Sequence, residues 1–303
     1  MPYAVELENV SKSFGRFAAV EDLNLAIPRH AIYGFIGPNG SGKTTTLRVI
    51  MRIYLPDKGR VRVLGDESWH AANDRVGYLP EERGLYKQMK VRDVLRYYAE
   101  LKGRRDSKQD IADWLERMNL SAWGDKKVEA LSKGMAQKVQ FIATVIARPE
   151  LVLLDEPFSG LDPVNAVAFR EAILALKKEG TTIIFSTHDM SVAEKMCDFV
   201  FMIYRGKKVL DGTLESIRAG YGADTIRVRV DGGAAALDSL AGVAKITDFG
   251  NYQELRLAEG GDPQALLAEL MRRGKVRHFE ETHPTLHDIF VRIAAPVEES
   301  AHV

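Results

Sequence analysis

The 303-residue sequence contains one cysteine, Cys197. No disulfide can close within the chain and no cysteine-based zinc cage is available, a usage that fits a reducing compartment. Excess charge of either sign is missing too, since Lys+Arg and Asp+Glu both number 42. Bulk attraction to nucleic acid or to anionic lipid is therefore not expected, although a local patch is compatible with this balance. Long apolar runs are absent. The longest, such as residues 199–204, fall far short of the ~20 residues that a spanning helix needs. The start, Met1-Pro2-Tyr3-Ala4-Val5-Glu6, has neither the basic residues nor the apolar stretch of a secretory signal. These absences point to a cytoplasmic chain, with any membrane role left to a partner. What is present is ordinary: 46% hydrophobic and 28% charged residues, enough chain for one large domain and one small one.

Short apolar runs at 31–36, 151–154, 182–185 and 199–203 lack the alternation of a half-exposed sheet and read as buried parallel strands. Helical segments separate them. Asp162-Pro163 supplies an N-cap and a first-turn proline for a helix that runs to about Lys178 before Gly180. Strand and helix in alternation predict an α/β fold with a parallel core sheet. Residues 5–10 and 23–27 are expected to form a smaller antiparallel sheet. From 91 to 147 the pattern becomes helical only, with apolar residues three to four apart in 91–101, 111–120 and 135–147, which predicts a helical insert. Near Tyr221-Gly222 it changes again. Strands at 226–230, 243–249, 254–257 and 276–280, with a weak helix at 234–240 and a capped one after Asp262-Pro263, predict a small α+β, ferredoxin-like domain over 221–295. A last helix is expected from Pro284. Residues 1–220 would form the main domain and 296–303 a frayed tail.

Gly37-Pro38-Asn39-Gly40-Ser41-Gly42-Lys43-Thr44 fits the phosphate-loop pattern G-x-x-x-x-G-K-[ST], after an apolar strand and before a periodic helix beginning near Thr45. Glycines let successive backbone N–H groups converge on phosphate oxygens, and the helix adds its positive end to the same place. Residues 37–45 are thus the expected nucleotide contacts. Lys43 would serve the β- and γ-phosphates as a point charge, and the Thr44 hydroxyl would be a Mg²⁺ ligand. A chance glycine turn would not come with both the strand and the helix.

The strand at 151–154 delivers Asp155 and Glu156 to its C-terminal end, where ligands bind in open α/β sheets. Alone, such a pair is an ordinary helix-capping end. Beside a phosphate loop, Asp155 is suited to hold Mg²⁺ through water and Glu156 to orient and deprotonate an attacking water.

Four further segments resemble the ABC ATPase family. Leu131-Ser132-Lys133-Gly134-Met135 resembles its L-S-G-G-Q signature, Ser159-Gly160-Leu161-Asp162 its D-loop, and His188 its switch histidine; Phe14 stands where the family stacks an aromatic on adenine. Singly, Phe14 would be core, His188 a surface or capping residue and Ser132 an N-cap. Their order around the phosphate loop, over roughly residues 4–220, carries the resemblance. It implies a cassette fold that binds ATP and Mg²⁺ and a head-to-tail dimer in which Ser132 and Gly134 of one copy close over the γ-phosphate held by Lys43 of the other. ATP hydrolysis, with Glu156, His188 and Lys43 as catalytic groups, would drive an integral membrane permease at the inner face of the membrane.

The sequence departs from the family at Lys133, Met135 and Glu81, the last where a glutamine is usual. Lys133 could strengthen the closed state or point to solvent. Glu81 could still reach Mg²⁺ at the cost of a negative charge near phosphate. These departures and the C-terminal domain resemble a subgroup of prokaryotic exporter ATPases of the sodium-extrusion and drug-resistance types. A non-transport ABC ATPase acting on ribosomes or DNA is the alternative; it usually carries tandem cassettes or a coiled-coil insert, which this chain lacks. A regulator that uses the C-terminal domain as a ligand sensor is a third reading.

Overall fold

The computed structural model describes residues 3–67, 74–82, 84–221, 225–258 and 260–298. They separate into two units that meet in sequence at Thr213 and Leu214. In chain order the first unit runs β1 (Tyr3–Phe14), β2 (Phe17–Pro28), β3 (Ile32–Ile36), α1 (Lys43–Ile50), β4 (Lys58–Val63), β5 (Val76–Leu79), α2 (Val91–Leu101), α3 (Lys108–Arg117), α4 (Lys133–Val145), β6 (Leu151–Asp155), α5 (Pro163–Lys178), β7 (Thr182–Thr187), α6 (Met190–Met196), β8 (Phe199–Tyr204) and β9 (Lys207–Gly212). Among the described residues β5-β6-β7-β3-β8-β9 form one sheet, parallel except for β9, and β2-β1-β4 form an antiparallel one.

The expected buried strands are those of the parallel sheet. Every residue of β3, β6 and β7 is buried, because both faces are covered. Alternation along these strands feeds two cores. Ile32, Val152, Leu154, Ile183 and Phe185 pack with α2 to α5, whereas Tyr33, Phe35, Leu153, Ile184 and Phe201 pack with α1 and the antiparallel sheet. Phe141 of α4 is fully buried, 5.0 Å from the Phe169 ring of α5 and 5.9 Å from that of Trp114 in α3. It ties the helical segment to the sheet. Phe141→Ala is expected to destabilise the first unit by about 3–5 kcal/mol, read as a lower urea midpoint.

Sequence-encoded caps set two helix starts that matter for the site. Asp162 accepts from the Asn165 N–H at 3.0 Å with Pro163 in the first turn of α5, and Ser132 accepts from the Met135 N–H at 3.3 Å at the head of α4.

The second unit contains α7 (Leu214–Tyr221), β10 (Thr225–Val230), β11 (Val243–Asp248), β12 (Gln253–Leu257), α8 (Pro263–Arg273), β13 (Val276–Thr282) and α9 (Leu286–Glu298). Its sheet is antiparallel in the order β11-β12-β10-β13, the split βαβ arrangement of a ferredoxin-like domain. Four details differ from the sequence-based expectation. A short 3₁₀ turn at Gly233–Leu237 replaces the first helix, where Gly232 and Gly233 both have positive φ. The last helix begins at Leu286, two residues after Pro284. Gly220, the expected end of the main domain, lies inside α7. The tail expected from 296 continues as helix to Glu298, and residues 299–303 lie outside the described residues.

Candidate functional site

Three parallel strands end side by side and each passes its next residues to one place. After β3 comes the glycine loop 37–42. Gly37 adopts φ 151°, and a Cβ there would stand 2.2 Å from the Ile203 carbonyl oxygen; Gly42, at φ 113°, would meet the Ala19 carbonyl at 2.5 Å. Glycine is required at both positions because backbone packs directly against backbone. The loop then turns into α1, whose first residue is Lys43.

Lys43 is 6% exposed. Its ammonium donates to the carbonyls of Gly37 at 2.7 Å and Pro38 at 3.1 Å and lies 3.6 Å from Glu156 Oε1. Burial pushes this amine below the usual lysine value, while the carboxylates of Glu156, Asp155 and Glu81 pull the other way. Thr44 donates its hydroxyl to Asp155 Oδ1 at 3.1 Å. Glu156 follows with φ 49°, a left-handed backbone that a non-glycine residue rarely adopts, so the two consecutive carboxylates diverge. Glu156 Oε2 is 3.0 Å from His188 Nδ1, just beyond the end of β7.

Lys43, Thr44, Glu156 and His188 share one cavity of about 520 Å³, whereas Gly37, Pro38 and Asp155 are not part of its lining. Asn39, Gly40, Ser41, Gly42, Lys43, Thr44 and Thr45 line its phosphate-loop side, and Glu81, Glu156 and His188 line its far side. Phe14 stands at the same cavity, 44% exposed, its ring edge-on to Tyr54 at 5.1 Å. Phe17, Ala19 and Ser159 also line it, and the sequence had not marked the first two. Ser132 and Gly134 do not. They sit at the head of α4, where Ser132 is exposed and a Cβ on Gly134 would stand 3.1 Å from Asn165 Nδ2. Lys133 is exposed.

Among the described residues no cluster of three or more His, Cys, Asp or Glu forms a protein-only metal cage. The oxygen donors present suit a different arrangement. Asp155 is 1% exposed and its Oδ2 has no hydrogen-bond partner, and the Thr44 hydroxyl is beside it. One carboxylate and one hydroxyl, completed by phosphate and water, is how Mg²⁺ is commonly held with a nucleotide. The residues fit that ion.

Sequence reasoning also missed Ser186 and Gln137. Ser186, fully buried on β7, donates to Asp155 Oδ1 at 2.6 Å and accepts from the Glu156 N–H at 2.9 Å. Gln137 of α4 donates to the Pro157 carbonyl at 2.8 Å, directly behind Glu156.

A parallel sheet with a phosphate loop after one strand and an acidic pair after another defines a nucleotide-binding α/β protein. Residues 20–159 match the family described as ABC transporter, and residues 212–294 match that described as ATP-binding protein DrrA1-3-like, C-terminal domain. The chain is 40% identical over 295 residues to the uncharacterized ABC transporter ATP-binding protein YhaQ of Bacillus subtilis, covering 97% of this chain and 99% of that one. It is 30% identical over 305 residues to the daunorubicin resistance ATP-binding protein DrrA3 of Streptomyces coeruleorubidus, covering 96% and 95% respectively. A solved ATP-binding subunit of an ABC transporter superposes with a TM-score of 0.68 at 28% identity, over 72% of this chain and 93% of that one. The chain belongs to the ATP-binding proteins of ABC transporters. Among the described residues no helix is long and apolar enough to cross a membrane.

Proposed function

We propose that two copies of this chain close head to tail on two ATP molecules and that hydrolysis powers export through a separate permease at the inner face of the membrane. The observation that carries this reading is the shared cavity. Phosphate-loop residues, the Lys43 ammonium, the Thr44 hydroxyl backed by Asp155, Glu156 with His188 and an exposed aromatic all meet at one space sized for a nucleotide.

In this reading Phe14 stacks on the base, residues 37–45 surround the phosphates, and Lys43 leaves the Gly37 and Pro38 carbonyls for the β- and γ-phosphate oxygens. Mg²⁺ held by Thr44 and Asp155, with Glu81 nearby, supplies neutralising charge on the phosphates. Glu156 takes a proton from water as its oxygen attacks the γ-phosphorus and the bond to the β-phosphate oxygen breaks; His188 orients the Glu156 carboxylate. Ser132 and Gly134 of the second copy complete the site, so ATP favours the closed pair and its loss opens it. Export is favoured because the chain is similar to proteins named for daunorubicin resistance and for Nod factor export. The permease would dock on the helical segment beside the Glu81 loop. There Tyr86, Tyr97 and Leu101 are exposed next to a groove of about 330 Å³ lined by Met51, Leu85 and Tyr98. Arg83 of that loop lies outside the described residues.

A ligand that binds only the folded state stabilises by mass action. MgATP at 100 times its dissociation constant is expected to add about 2.7 kcal/mol, read by thermal or urea melts with and without nucleotide. An unchanged melt would remove the nucleotide assignment. Co-purification of a membrane protein with the tagged chain tests the transport half of the reading, and a ribosome or DNA partner in its place would overturn it.

A further inference from the structure

One hydroxyl touches both acidic residues of the site. β6 ends at Asp155, which pairs in register with Ser186 of β7. The next residue, Glu156, enters the left-handed region at φ 49°, and its N–H accordingly leaves the strand ladder. A buried N–H needs a partner. It finds Ser186 Oγ at 2.9 Å, while the same oxygen donates its proton to Asp155 Oδ1 at 2.6 Å. The Thr44 hydroxyl also donates to Oδ1, at 3.1 Å. Two hydroxyls donating to Oδ1, Ser186 from β7 and Thr44 from α1, fix the orientation of this buried carboxylate, whose Oδ2 has no hydrogen-bond partner.

We infer that Ser186 is a positioning residue: its hydroxyl holds the Asp155 carboxylate in one orientation beside Thr44, where Mg²⁺ would be bound, and pins the backbone turn that aims Glu156 away from Asp155. Ser186 is fully buried and does not line the cavity, so it acts only through its two neighbours. The inference rests on the proposed hydrolytic reading for its catalytic half and on the geometry alone for its metal half.

The test uses the full chain with Ser186→Ala and Ser186→Thr. Alanine removes the hydroxyl, and threonine retains it on a residue favoured in strands. Loss of a residue that orients a metal ligand typically costs about 10–100-fold in affinity or activity. Ser186→Ala is therefore expected to lower kcat by ~10–100-fold with the ATP KM within ~3-fold, and to raise by ~10-fold the Mg²⁺ needed for half-maximal binding of a fluorescent ATP analogue. Ser186→Thr is expected to return both readouts to within ~3-fold of the parent. Unchanged Mg²⁺ dependence and kcat in Ser186→Ala would overturn the inference. So would equal defects in both variants, which would mark a packing role. If the parent hydrolyses no ATP while Ser186→Ala still shifts the Mg²⁺ dependence, the hydrolytic reading fails and the positioning of Asp155 stands.

Discussion

Replacing Lys43 with alanine is expected to abolish ATP binding. A unit charge placed ~4 Å from an opposite charge at an effective dielectric of ~20 is worth about 4 kcal/mol, roughly a thousandfold in affinity. Lys43 has the setting for such a value. Its amine is buried and already sits at the phosphate loop, where phosphate oxygens would take the place of the Gly37 and Pro38 carbonyls as its acceptors. The loss should exceed the missing attraction, because Glu156 and Glu81, which line the same cavity, and Asp155 behind it would then lack the Lys43 charge between them and the triphosphate. Burial also gives the interaction a pH dependence. Since the amine sits below its ordinary value of 10.5, ATP affinity should weaken as pH rises through that lowered value, earlier than for an exposed lysine. The sign for stability is opposite. Between the lowered folded value and 10.5 the unfolded chain holds more protons, so this group makes the nucleotide-free protein more stable as pH rises through that window. Calorimetric titration of parent and Lys43→Ala with MgATP checks the main claim, and affinity retained within ~10-fold would defeat the phosphate assignment.

How much of this was legible before the fold was known follows from where the information sits in the chain. The phosphate loop is one contiguous segment whose glycines, lysine and flanking elements are all local, and it was readable outright. β3, β6 and β7, buried throughout, and β8, buried except at its two ends, were readable because such burial leaves a short apolar run. β4 and β9 were not, since Lys58–Val63 and Lys207–Gly212 are half exposed and carry several charges. Ser186 was invisible for another reason. A serine near the end of an apolar strand looks like any strand residue until the β6–β7 register sets it opposite Asp155. The turn of Glu156 was equally hidden, because nothing in Asp155-Glu156-Pro157 announces a left-handed glutamate. Motif residues thus came from sequence. The residues that aim them needed long-range pairing.

Glu156→Gln separates binding from chemistry, which Lys43→Ala cannot do. The amide keeps the size of the carboxylate and can stay near both Lys43 Nζ and His188 Nδ1, now 3.6 and 3.0 Å away. It cannot accept a proton from water. A lost general base typically costs about 10²–10⁴-fold, so turnover should fall by that range while MgATP binding persists. Removing a negative charge beside the γ-phosphate should, if anything, tighten binding. In the proposed dimer the ATP-bound state then has no exit, and the variant should accumulate as a closed pair when MgATP is present and revert to monomer when the nucleotide is removed. Light scattering after size exclusion, set beside single-turnover phosphate release, reads both properties on one sample. Turnover at the parent rate would show that Glu156 is not the base. Lost turnover without any ATP-dependent pairing would keep Glu156 as the base and reject the sandwich in which Ser132 and Gly134 of a second copy seal the site.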